Sequence, residues 1–297
     1  MKINFTKMHG LGNDFILIDC RQLELDNLPE LSKKLCHRRF GIGADQVLLL
    51  DNSNIADFKM RIFNADGSEV EMCGNGIRCL AKYIWDKNLS DKNILNIETL
   101  TGIIRPEKAG KLVKVDMGEP IFEPEKIPVI PPSPPLEKGG WGDLKAVGKG
   151  GFDKEGQRRI IDYPLQVKDR EFKITCLSMG NPHAVIVVDD LSNFPVSYYG
   201  PVIESHFMFP KRTNVEFIEV INPVKIKMRV WERGSGETMA CGTGASAAAV
   251  ASNIKGIAER KVTVYLLGGD LFIEWAGDNH VYMTGPAVEV FEGIIES

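Results

Sequence analysis

Two cysteines in the chain each stand directly before a glycine-rich segment that is typical of a helix start. Cys73 begins "CGNGIRC" and Cys241 begins "CGTGASA". A thiol at a helix N-terminus meets backbone N–H groups and the positive end of the helix dipole, which lower its pKa and favour the thiolate. Glycines beside the thiol let a ligand approach the same N–H groups closely. The pattern predicts a base and an anion site at each position.

Two such sites on one chain favour one reaction, the removal of a proton from one face of a carbon and its delivery to the other. A thiolate and a thiol would serve the two faces, while N–H donors hold the neighbouring carboxylate as it becomes enolate-like. The sequence contains no glycine-rich nucleotide fingerprint and no lysine setting typical of a Schiff base. We therefore expect no cofactor and no metal.

The two cysteines have other interpretations. They could be a matched pair of core residues preserved by duplication. They could also belong to a thiol redox or metal-binding module, although the sequence lacks the C-x-x-C pair or His/Cys cluster that such modules use. We expect the remaining cysteines to be structural; they are Cys20, Cys36, Cys79 and Cys176.

The chain also matches itself at a shift of 168 positions. Eight of the 25 residues from 59 to 83 are identical to their counterparts, and both cysteines are among the matches. The same shift pairs Gly12 and Asn13 with Gly180 and Asn181, and beyond residue 100 it falls to 167. Because the matched residues include glycines and asparagines that punctuate structure, we infer two copies of one unit.

Each copy reads as buried strands followed by a helix and further strands. "FILID", "QVLLL" and "KMRIF" precede the first cysteine, and "AVIVV", "VEFIEV" and "KMRVW" precede the second. The predicted fold is mixed α/β, with two pseudo-symmetric repeat domains, each a mixed β-sheet or barrel wrapped around a central helix. The predicted domains are 1–118 with Cys73 and 173–297 with Cys241, whose C-terminal segment is expected to pack back on the first domain.

Residues 119–172 are predicted to be a Pro/Gly-rich connecting segment. Seven prolines fall within residues 120 to 135, and glycines follow. This composition favours an extended segment over packed structure. We expect an exposed loop, from which only "RRIIDYPLQV" returns to the fold.

Bulk properties exclude several functions. With 36 Lys plus Arg against 40 Asp plus Glu, the net charge of −4 argues against binding nucleic acid. No apolar run approaches the roughly 20 residues that span a bilayer. The polar N-terminus differs from a secretory signal, and six cysteines do not form a disulfide framework. We expect a cytoplasmic protein that binds neither membrane nor nucleic acid.

Several motifs resemble the diaminopimelate epimerase family over nearly the whole chain: "KMHGLGNDF", "GIGADQ", "FNADGSEVEMCGNGIRC", "SMGNPHAV", "TNVEF" and "WERGSGETMACGTGA". The resemblance implies a cofactor-independent amino-acid epimerase that interconverts LL- and meso-diaminopimelate on the lysine and cell-wall route. Cys73 and Cys241 would be the acid/base pair, with Cys241 taking the proton in the LL to meso direction. A homodimer contacting through Tyr282 is implied as well.

The resemblance also implies a substrate site and residues that tune it. His183 and Glu232 would lie near the cysteines and tune proton transfer. The implied substrate-binding residues are Asn13, Gln46, Asn64, Gly74, Asn75, Asn181, Asn214, Glu232, Arg233, Gly242 and Thr243. The repeat is broken where Asn64 matches Glu232 and Phe15 matches His183, as a substrate with one reacting and one fixed end requires.

Alternatives remain open. A proline or hydroxyproline racemase shares the paired cysteines, but those enzymes tend to carry histidine where this chain has Asn75, and a small cyclic substrate would not need Arg233 with four asparagines. His183 could instead cap a turn after Pro182. Arg61 and Arg229, which recur in both copies, could form surface salt bridges.

Overall fold

A computed structural model describes residues 2–71, 73–130 and 159–296. The chain forms two compact units. Residues up to 116, together with those from 283 onward, make the first, and residues 117–282 make the second. Each unit contains one of the two cysteine motifs.

The first unit holds two helices and a mixed sheet. Its helices are α1 (Leu28–Cys36) and α2 (Gly74–Asp86). Its strands are β1 (Lys2–Gly10), β2 (Asn13–Asp19), β3 (Gln46–Asp51), β4 (Phe58–Asn64), β5 (Glu69–Val70), β6 (Ile97–Thr99), β7 (Gly102–Ile104), β8 (Glu107–Ala109) and β9 (Leu112–Asp116), with β19 (Val288–Glu296) from the end of the chain. The sheet order is β19-β1-β2-β3-β4-β6-β7, and β5 pairs with β4.

The second unit repeats this plan. Its helices are α3 (Val196–Glu204) and α4 (Gly242–Ile254). Its strands are β10 (Ile160–Val167), β11 (Arg170–Ser178), β12 (Pro182–Val187), β13 (Asn214–Asn222), β14 (Lys225–Glu232), β15 (Gly236–Thr238), β16 (Lys261–Leu266) and β17 (Gly269–Trp275), followed by β18 (Val281–Gly285). The sheet order begins β10-β11-β12-β13-β14-β16-β17, and β15 pairs with β14.

The strand registers confirm the repeat. In each unit two parallel pairs are joined through an antiparallel one, β2-β3-β4-β6 in the first and β12-β13-β14-β16 in the second. The matching partners are Phe15 with Gln46 and His183 with Asn214 at one parallel pair, and Phe58 with Ile97 and Ile226 with Val264 at the other. Phe58 and Ile226 still differ by 168 positions, whereas Ile97 and Val264 differ by 167, so the one-residue deletion lies in the connection between β14 and β16.

The central helices are the predicted ones. Helix α2 packs against β1 to β4, and α4 packs against β11 to β14, β16 and β17. Ten of the thirteen residues of α4 are buried, and nearly all are Ala, Ser, Gly or Val. Small side chains on every face let the surrounding strands approach the helix axis closely. The mixed α/β fold with two sheet-rich units is confirmed.

The expectation of an exposed loop is wrong for residues 121–130. Ile127 and Val129 are buried in the core of the second unit, and Ile121 forms a β-bridge with Ser178. Apolar residues alternate with the prolines here, so the segment fills the core without forming a regular ladder. The second unit's sheet also begins at β10, ahead of the predicted boundary at 173. Residues 131–158, which carry the rest of the prediction, lie outside the described residues.

Candidate active-site residues

Both cysteines occupy the N-cap position of a central helix. Cys73 precedes α2 with an extended backbone (φ −140°), and Cys241 precedes α4 with nearly the same conformation (φ −128°). Each cysteine carbonyl accepts a 2.9 Å hydrogen bond from the residue four positions on, Ile77 or Ala245. The thiols therefore stand beside the unsatisfied N–H groups of the first helical turn.

The Cys73 cluster comprises Cys73, Asn13, Asn75 and the residues that hold them. The Cys73 thiol accepts from the Gly76 N–H at 3.4 Å and lies 3.7 Å from Asn13 Oδ1. Asn13 Oδ1 also accepts from Asn75 Nδ2 at 3.2 Å, and Asn13 Nδ2 donates to Asp45 Oδ2 at 2.8 Å. The structure thus brings both predicted asparagines beside this thiol in fixed orientations.

A fully buried arginine supports the same cluster. Arg78 Nη2 donates to Asn75 Oδ1 at 2.8 Å, and Nη1 donates to the Gly74 carbonyl. Its Nε donates to the Pro286 carbonyl at 3.2 Å, and this bond connects α2 to the C-terminal segment of the chain within the same unit. Burial lowers the pKa of the Arg78 guanidinium. Arg78 was not among the predicted site residues, and its counterpart in the repeat is Ser246.

Gln46 and Asn64 face each other across β3 and β4. Gln46 Nε2 donates to Asn64 Oδ1 at 2.8 Å, and Asn64 Nδ2 donates to Ser68 Oγ at 3.0 Å. Within the described part of the chain, the buried Gln46 Oε1 has no hydrogen-bond partner. An unpaired buried acceptor is costly, so this oxygen is available to a donor on a ligand.

The Cys241 cluster comprises Cys241, Thr243, Glu232, His183, Asn181 and Glu216. Cys241 is only 6% exposed, and its thiol lies 3.4 Å from Thr243 Oγ1. Burial raises the pKa of Cys241 well above its ordinary value, and the carboxylates of Glu232 and Glu216 add to the rise, although the Thr243 hydroxyl and Gly244 N–H oppose it. The expected lowering by the helix terminus is therefore overridden at this cysteine.

Glu232 is half-buried at the end of β14. Burial raises its pKa, and hydrogen bonds with Thr238 and Cys241 oppose the rise. The hydroxyl of Thr238 donates to Glu232 Oε1 at 2.5 Å. The matched Asn64 donates to Ser68 instead, so the exchange of an amide for a carboxyl changes the local hydrogen bonding between the two copies.

His183 is fully buried in β12 and bonded through both ring nitrogens. Its Nδ1 lies 2.7 Å from Glu216 Oε1, and its Nε2 lies 2.8 Å from Asn181 Oδ1. Because both ring nitrogens bond side chains, His183 does not serve as the turn cap after Pro182 that the sequence left open. Glu216 was not among the predicted site residues. Its signal in the sequence is a charged residue inside the apolar strand "NVEFIEV", where the repeat has Leu48.

Asn214 and Arg233 form a separate arrangement in the second unit. Asn214 is 3% exposed; its Oδ1 accepts from the Arg233 backbone N–H at 2.9 Å, and its Nδ2 donates to the Pro182 carbonyl at 3.0 Å. The Arg233 side chain is exposed, and its Nη1 donates to the Lys211 carbonyl. Asn214 therefore fixes the backbone that carries Arg233.

The two recurrent arginines form matching ion pairs. Arg61 Nε lies 2.8 Å from Glu69 Oε1, and Arg229 Nε lies 2.7 Å from Glu237 Oε1. The four residues occupy equivalent places in the repeat. The salt-bridge interpretation of Arg61 and Arg229 is the one that the structure bears out.

Other predicted features have simpler surroundings. The hydroxyl of Tyr282, on β18, donates to Asp278 Oδ2 at 3.0 Å. Burial raises the pKa of Cys20, Cys36 and Cys79 to about 12 and that of Cys176 further.

Across residues 2–71, 73–130 and 159–296, no group of three or more His, Cys, Asp or Glu could hold a metal ion, and no helix is long and apolar enough to cross a membrane.

Comparison with known proteins gives the family. The family described as diaminopimelate epimerase matches residues 5–123 and 175–290. Diaminopimelate epimerase of Acetivibrio thermocellus is 52% identical over 99% of this chain and 99% of that protein. The diaminopimelate epimerase of Moorella thermoacetica is 50% identical over 98% of both chains. The chain belongs to the diaminopimelate epimerase family. It is an isomerase.

Solved structures of lower identity share the fold. A PhzF-family phenazine biosynthesis protein of Bacillus anthracis covers 100% of both chains with a TM-score of 0.70 at 17% identity. A hydroxyproline epimerase from Agrobacterium vitis, solved with bound trans-4-hydroxy-L-proline, covers 99% of this chain and 92% of its own with a TM-score of 0.65 at 12% identity. These likenesses concern architecture, whereas the family membership rests on the sequence relatives.

Proposed function

We propose that the protein interconverts LL- and meso-diaminopimelate by moving a proton at the α carbon, with Cys73 and Cys241 as the acid/base pair and without a cofactor. The observation that carries the proposal is the pair of equivalent N-cap thiols in a member of the diaminopimelate epimerase family. Each thiol stands at N–H groups that suit a carboxylate, and the two occupy matching places in the repeat.

In the LL to meso direction, the Cys241 thiolate takes the α proton and becomes a thiol. The electron pair passes into the carboxylate, which is held by backbone N–H groups at Gly74–Asn75 and Gly242–Thr243 as it gains enolate character. The Cys73 thiol then donates its proton to the opposite face and becomes the thiolate. The reverse direction exchanges the two roles, so no external acid or base is consumed.

The raised pKa of Cys241 suits this chemistry. An α proton next to a carboxylate is a very weak acid, and a base of high pKa is the stronger proton acceptor once it is ionised. Burial and two nearby carboxylates favour the thiol in the ligand-free protein. The α-ammonium group of the substrate brings a positive charge that offsets these carboxylates, so ionisation of Cys241 is coupled to substrate binding.

The distant amino-acid end of diaminopimelate is assigned to polar residues of the two clusters and to the Asn214–Arg233 arrangement. Arg233 provides a forked donor for a carboxylate, and amide oxygens accept from an ammonium group. Asn214 contributes by fixing the Arg233 backbone. We assign substrate binding to Asn13, Gln46, Asn64, Gly74, Asn75, Asn181, Asn214, Glu232, Arg233, Gly242 and Thr243, and tuning of proton transfer to His183 and Glu232.

Incubation in deuterium oxide tests the substrate assignment. Purified protein is supplied with LL-diaminopimelate and, separately, with L-proline, and α-deuterium is followed by NMR. We expect deuterium uptake and meso product from diaminopimelate only. The amide set and Arg233 would leave several polar groups unpaired around proline, which selects against it. Uptake from proline alone would overturn the assignment in favour of a proline racemase.

We further propose a homodimer in which Tyr282 lies at the contact. Support comes from the family resemblance and from β19, the outer strand of the first sheet, where Val290, Phe291 and Ile294 are about half exposed or more. An outer strand with apolar side chains readily pairs with another chain. Light scattering after size-exclusion chromatography should give a dimer mass, and a Tyr282→Glu variant should shift it toward the monomer.

The six free cysteines agree with a reducing compartment such as the cytoplasm.

A further inference from the structure

We propose that Glu204, at the end of α3, is a positioning residue that holds the Glu232–Arg233 pair in place from both sides. Its two carboxyl oxygens accept hydrogen bonds from the residues directly before and after this pair, Trp231 and Gly234. Neither the motifs nor the family resemblance assigned it a role. The inference deepens the proposed function and rests on it, because Glu232 and Arg233 are assigned there to substrate binding.

The two hydrogen bonds of Glu204 have fixed directions. The Trp231 Nε1–H donates to Oε2 at 2.8 Å, and the Gly234 backbone N–H donates to Oε1 at 2.9 Å. An indole N–H and a backbone N–H can only donate, so each oxygen of the side chain must accept. Glu204 is only 8% exposed, and buried polar atoms need such partners. One buried side chain therefore holds both flanks of the pair.

The turn that carries the pair is exposed, yet its backbone bonds to buried side chains. Arg233 and Gly234 are exposed, and the φ of Gly234 is 77°, a left-handed conformation that favours glycine. The Arg233 N–H donates to Asn214 Oδ1 at 2.9 Å. Two successive N–H groups are thus held by side chains that are 3% and 8% exposed. Water could satisfy N–H groups on a surface turn, whereas buried acceptors also fix the position of the turn.

Packing of α3 places Glu204 independently of the turn. A Cβ added at Gly200 would lie 2.6 Å from Trp231 Cγ, so only glycine lets the helix approach the indole this closely. Glu204 lies about one turn further along α3, which brings its carboxyl group to the indole N–H. Val196 and Ile203, also on α3, are buried in the core of the second unit, and Trp231 packs against that core.

A third partner of Glu204 is weaker and lies at the surface. Arg212 Nη1 is 3.5 Å from Glu204 Oε1, and the Arg212 side chain is 63% exposed. Exposed ion pairs contribute little to stability. Arg212 therefore offers a control that removes one partner of Glu204 and keeps the bonds to both flanks of the pair.

The repeat shows that this arrangement belongs to the second copy only. At the shift of 168, Glu204 matches Cys36 and Trp231 matches Phe63, whose ring has no N–H to donate. In the first copy an alanine stands where Arg233 stands in the second. The arginine and the side chain that positions its turn thus occur together in one copy, as a substrate with one reacting and one fixed end requires.

The wild-type protein without substrate gives the first test. Hydrogen exchange is measured at single residues by NMR. The Gly234 amide is exposed in sequence context but bonded to Glu204, so we expect it to exchange at least about 10-fold more slowly than an amide in an unfolded chain. Exchange at the unfolded rate would overturn the proposal, whether or not any variant folds.

The Glu204→Gln variant gives the second test. The amide keeps the shape of the side chain but offers a single acceptor oxygen, so only one of the two donors can be satisfied. We expect the Gly234 amide to exchange on the order of 10-fold faster, or the Trp231 indole proton to move upfield, since one of the two bonds must break. The indole signal is assigned by its absence from a Trp231→Phe spectrum. Two unchanged signals would contradict the proposal.

Two controls separate a local effect from general destabilisation. Amides of α4 report opening of the second unit as a whole, and their exchange should change little in Glu204→Gln. Equal acceleration in α4 and in the turn would refute a positioning role. Arg212→Gln removes only the exposed partner and should keep both wild-type signals. Changes as large as those of Glu204→Gln would show that the two flanking bonds are not what holds the turn.

Kinetics tests the link to substrate binding. A loosened turn must be ordered again when substrate binds, so Glu204→Gln should raise KM for diaminopimelate about 3- to 10-fold and change kcat less than about 2-fold. A merely structural role would lower kcat through loss of folded enzyme and leave KM unchanged, and that result would refute the link. If the wild type does not turn over diaminopimelate, the proposed function fails, while the exchange and NMR measurements still decide whether Glu204 holds the turn.

Discussion

Alanine substitutions at the matched glycines of the two central helices should have very different consequences for stability. Gly76 and Gly244 occupy the same position in α2 and α4. A Cβ at Gly76 would lie 3.1 Å from Leu48 Cδ2, the mobile end of an aliphatic side chain. A Cβ at Gly244 would lie 2.8 Å from Glu216 Oε1 and 3.3 Å from its Cγ. Glu216 cannot retreat without breaking its hydrogen bond to His183.

The magnitudes follow from these contacts. Gly→Ala in a helix gains about 1 kcal/mol from propensity. At Gly76 a rotation of Leu48 costs about 1 kcal/mol, so the free energy of unfolding should hardly change. At Gly244 the lost charged hydrogen bond costs about 1.5–3 kcal/mol and the unpaired buried groups roughly 1–3 kcal/mol more. The net destabilisation there, after the gain in propensity, should be about 1.5–5 kcal/mol.

Differential scanning calorimetry of the two ligand-free variants measures the difference. One kcal/mol corresponds to about 2–4 °C in Tm for a domain of this size. Gly244→Ala should therefore lower Tm by roughly 3–20 °C, and Gly76→Ala should stay close to the wild type. Equal shifts in the two variants, or a raised Tm in Gly244→Ala, would refute the close approach of Glu216 to α4 and the bond that anchors it.

Three further predictions concern the clusters themselves. Cys73→Ala and Cys241→Ala should each abolish epimerisation in a coupled assay while circular dichroism stays native; near-normal turnover in either would remove that thiol from the mechanism. Burial raises the pKa of Glu232 above its ordinary 4.5, so ionisation of this carboxyl costs the wild type stability as pH rises above that value. At neutral pH, Glu232→Gln should therefore unfold at a higher urea concentration than the wild type. Below pH 4.5, the two proteins should unfold at the same urea concentration. A difference that persists under acid would contradict the burial effect. Asn214→Ala should raise KM with little change in kcat by loosening the Arg233 backbone; steady-state kinetics in which kcat alone falls would argue otherwise.

Local patterns in the sequence predicted much of the fold. Cys73 and Cys241 each precede glycine and a helical stretch, and both are N-caps in the structure. The shift between copies predicted the matching registers, down to the one-residue deletion. These features depend on residues within one turn or one strand, where side-chain spacing and backbone preference act directly.

Features set by distant residues escaped prediction. Burial raises the pKa of Cys241, and the carboxylates of Glu232 and Glu216 add to the rise. Both causes depend on residues outside "ACGTGASA", so this segment alone could not predict them. The Glu216–His183 pair depends on the parallel pairing of β12 and β13. Val129 is buried despite its proline-rich surroundings because tertiary packing overrides composition.

The most direct test of paired thiol catalysis follows deuterium in the first stage of the reaction. LL-diaminopimelate is incubated with the protein in deuterium oxide, and substrate and meso product are isolated early, before reversal contributes. Two bases on opposite faces predict a product with deuterium at the inverted α carbon and a recovered substrate without it, since the proton is taken by one sulphur and supplied by the other. Deuterium appearing equally in recovered substrate and product would mean that one base serves both faces and would contradict the account.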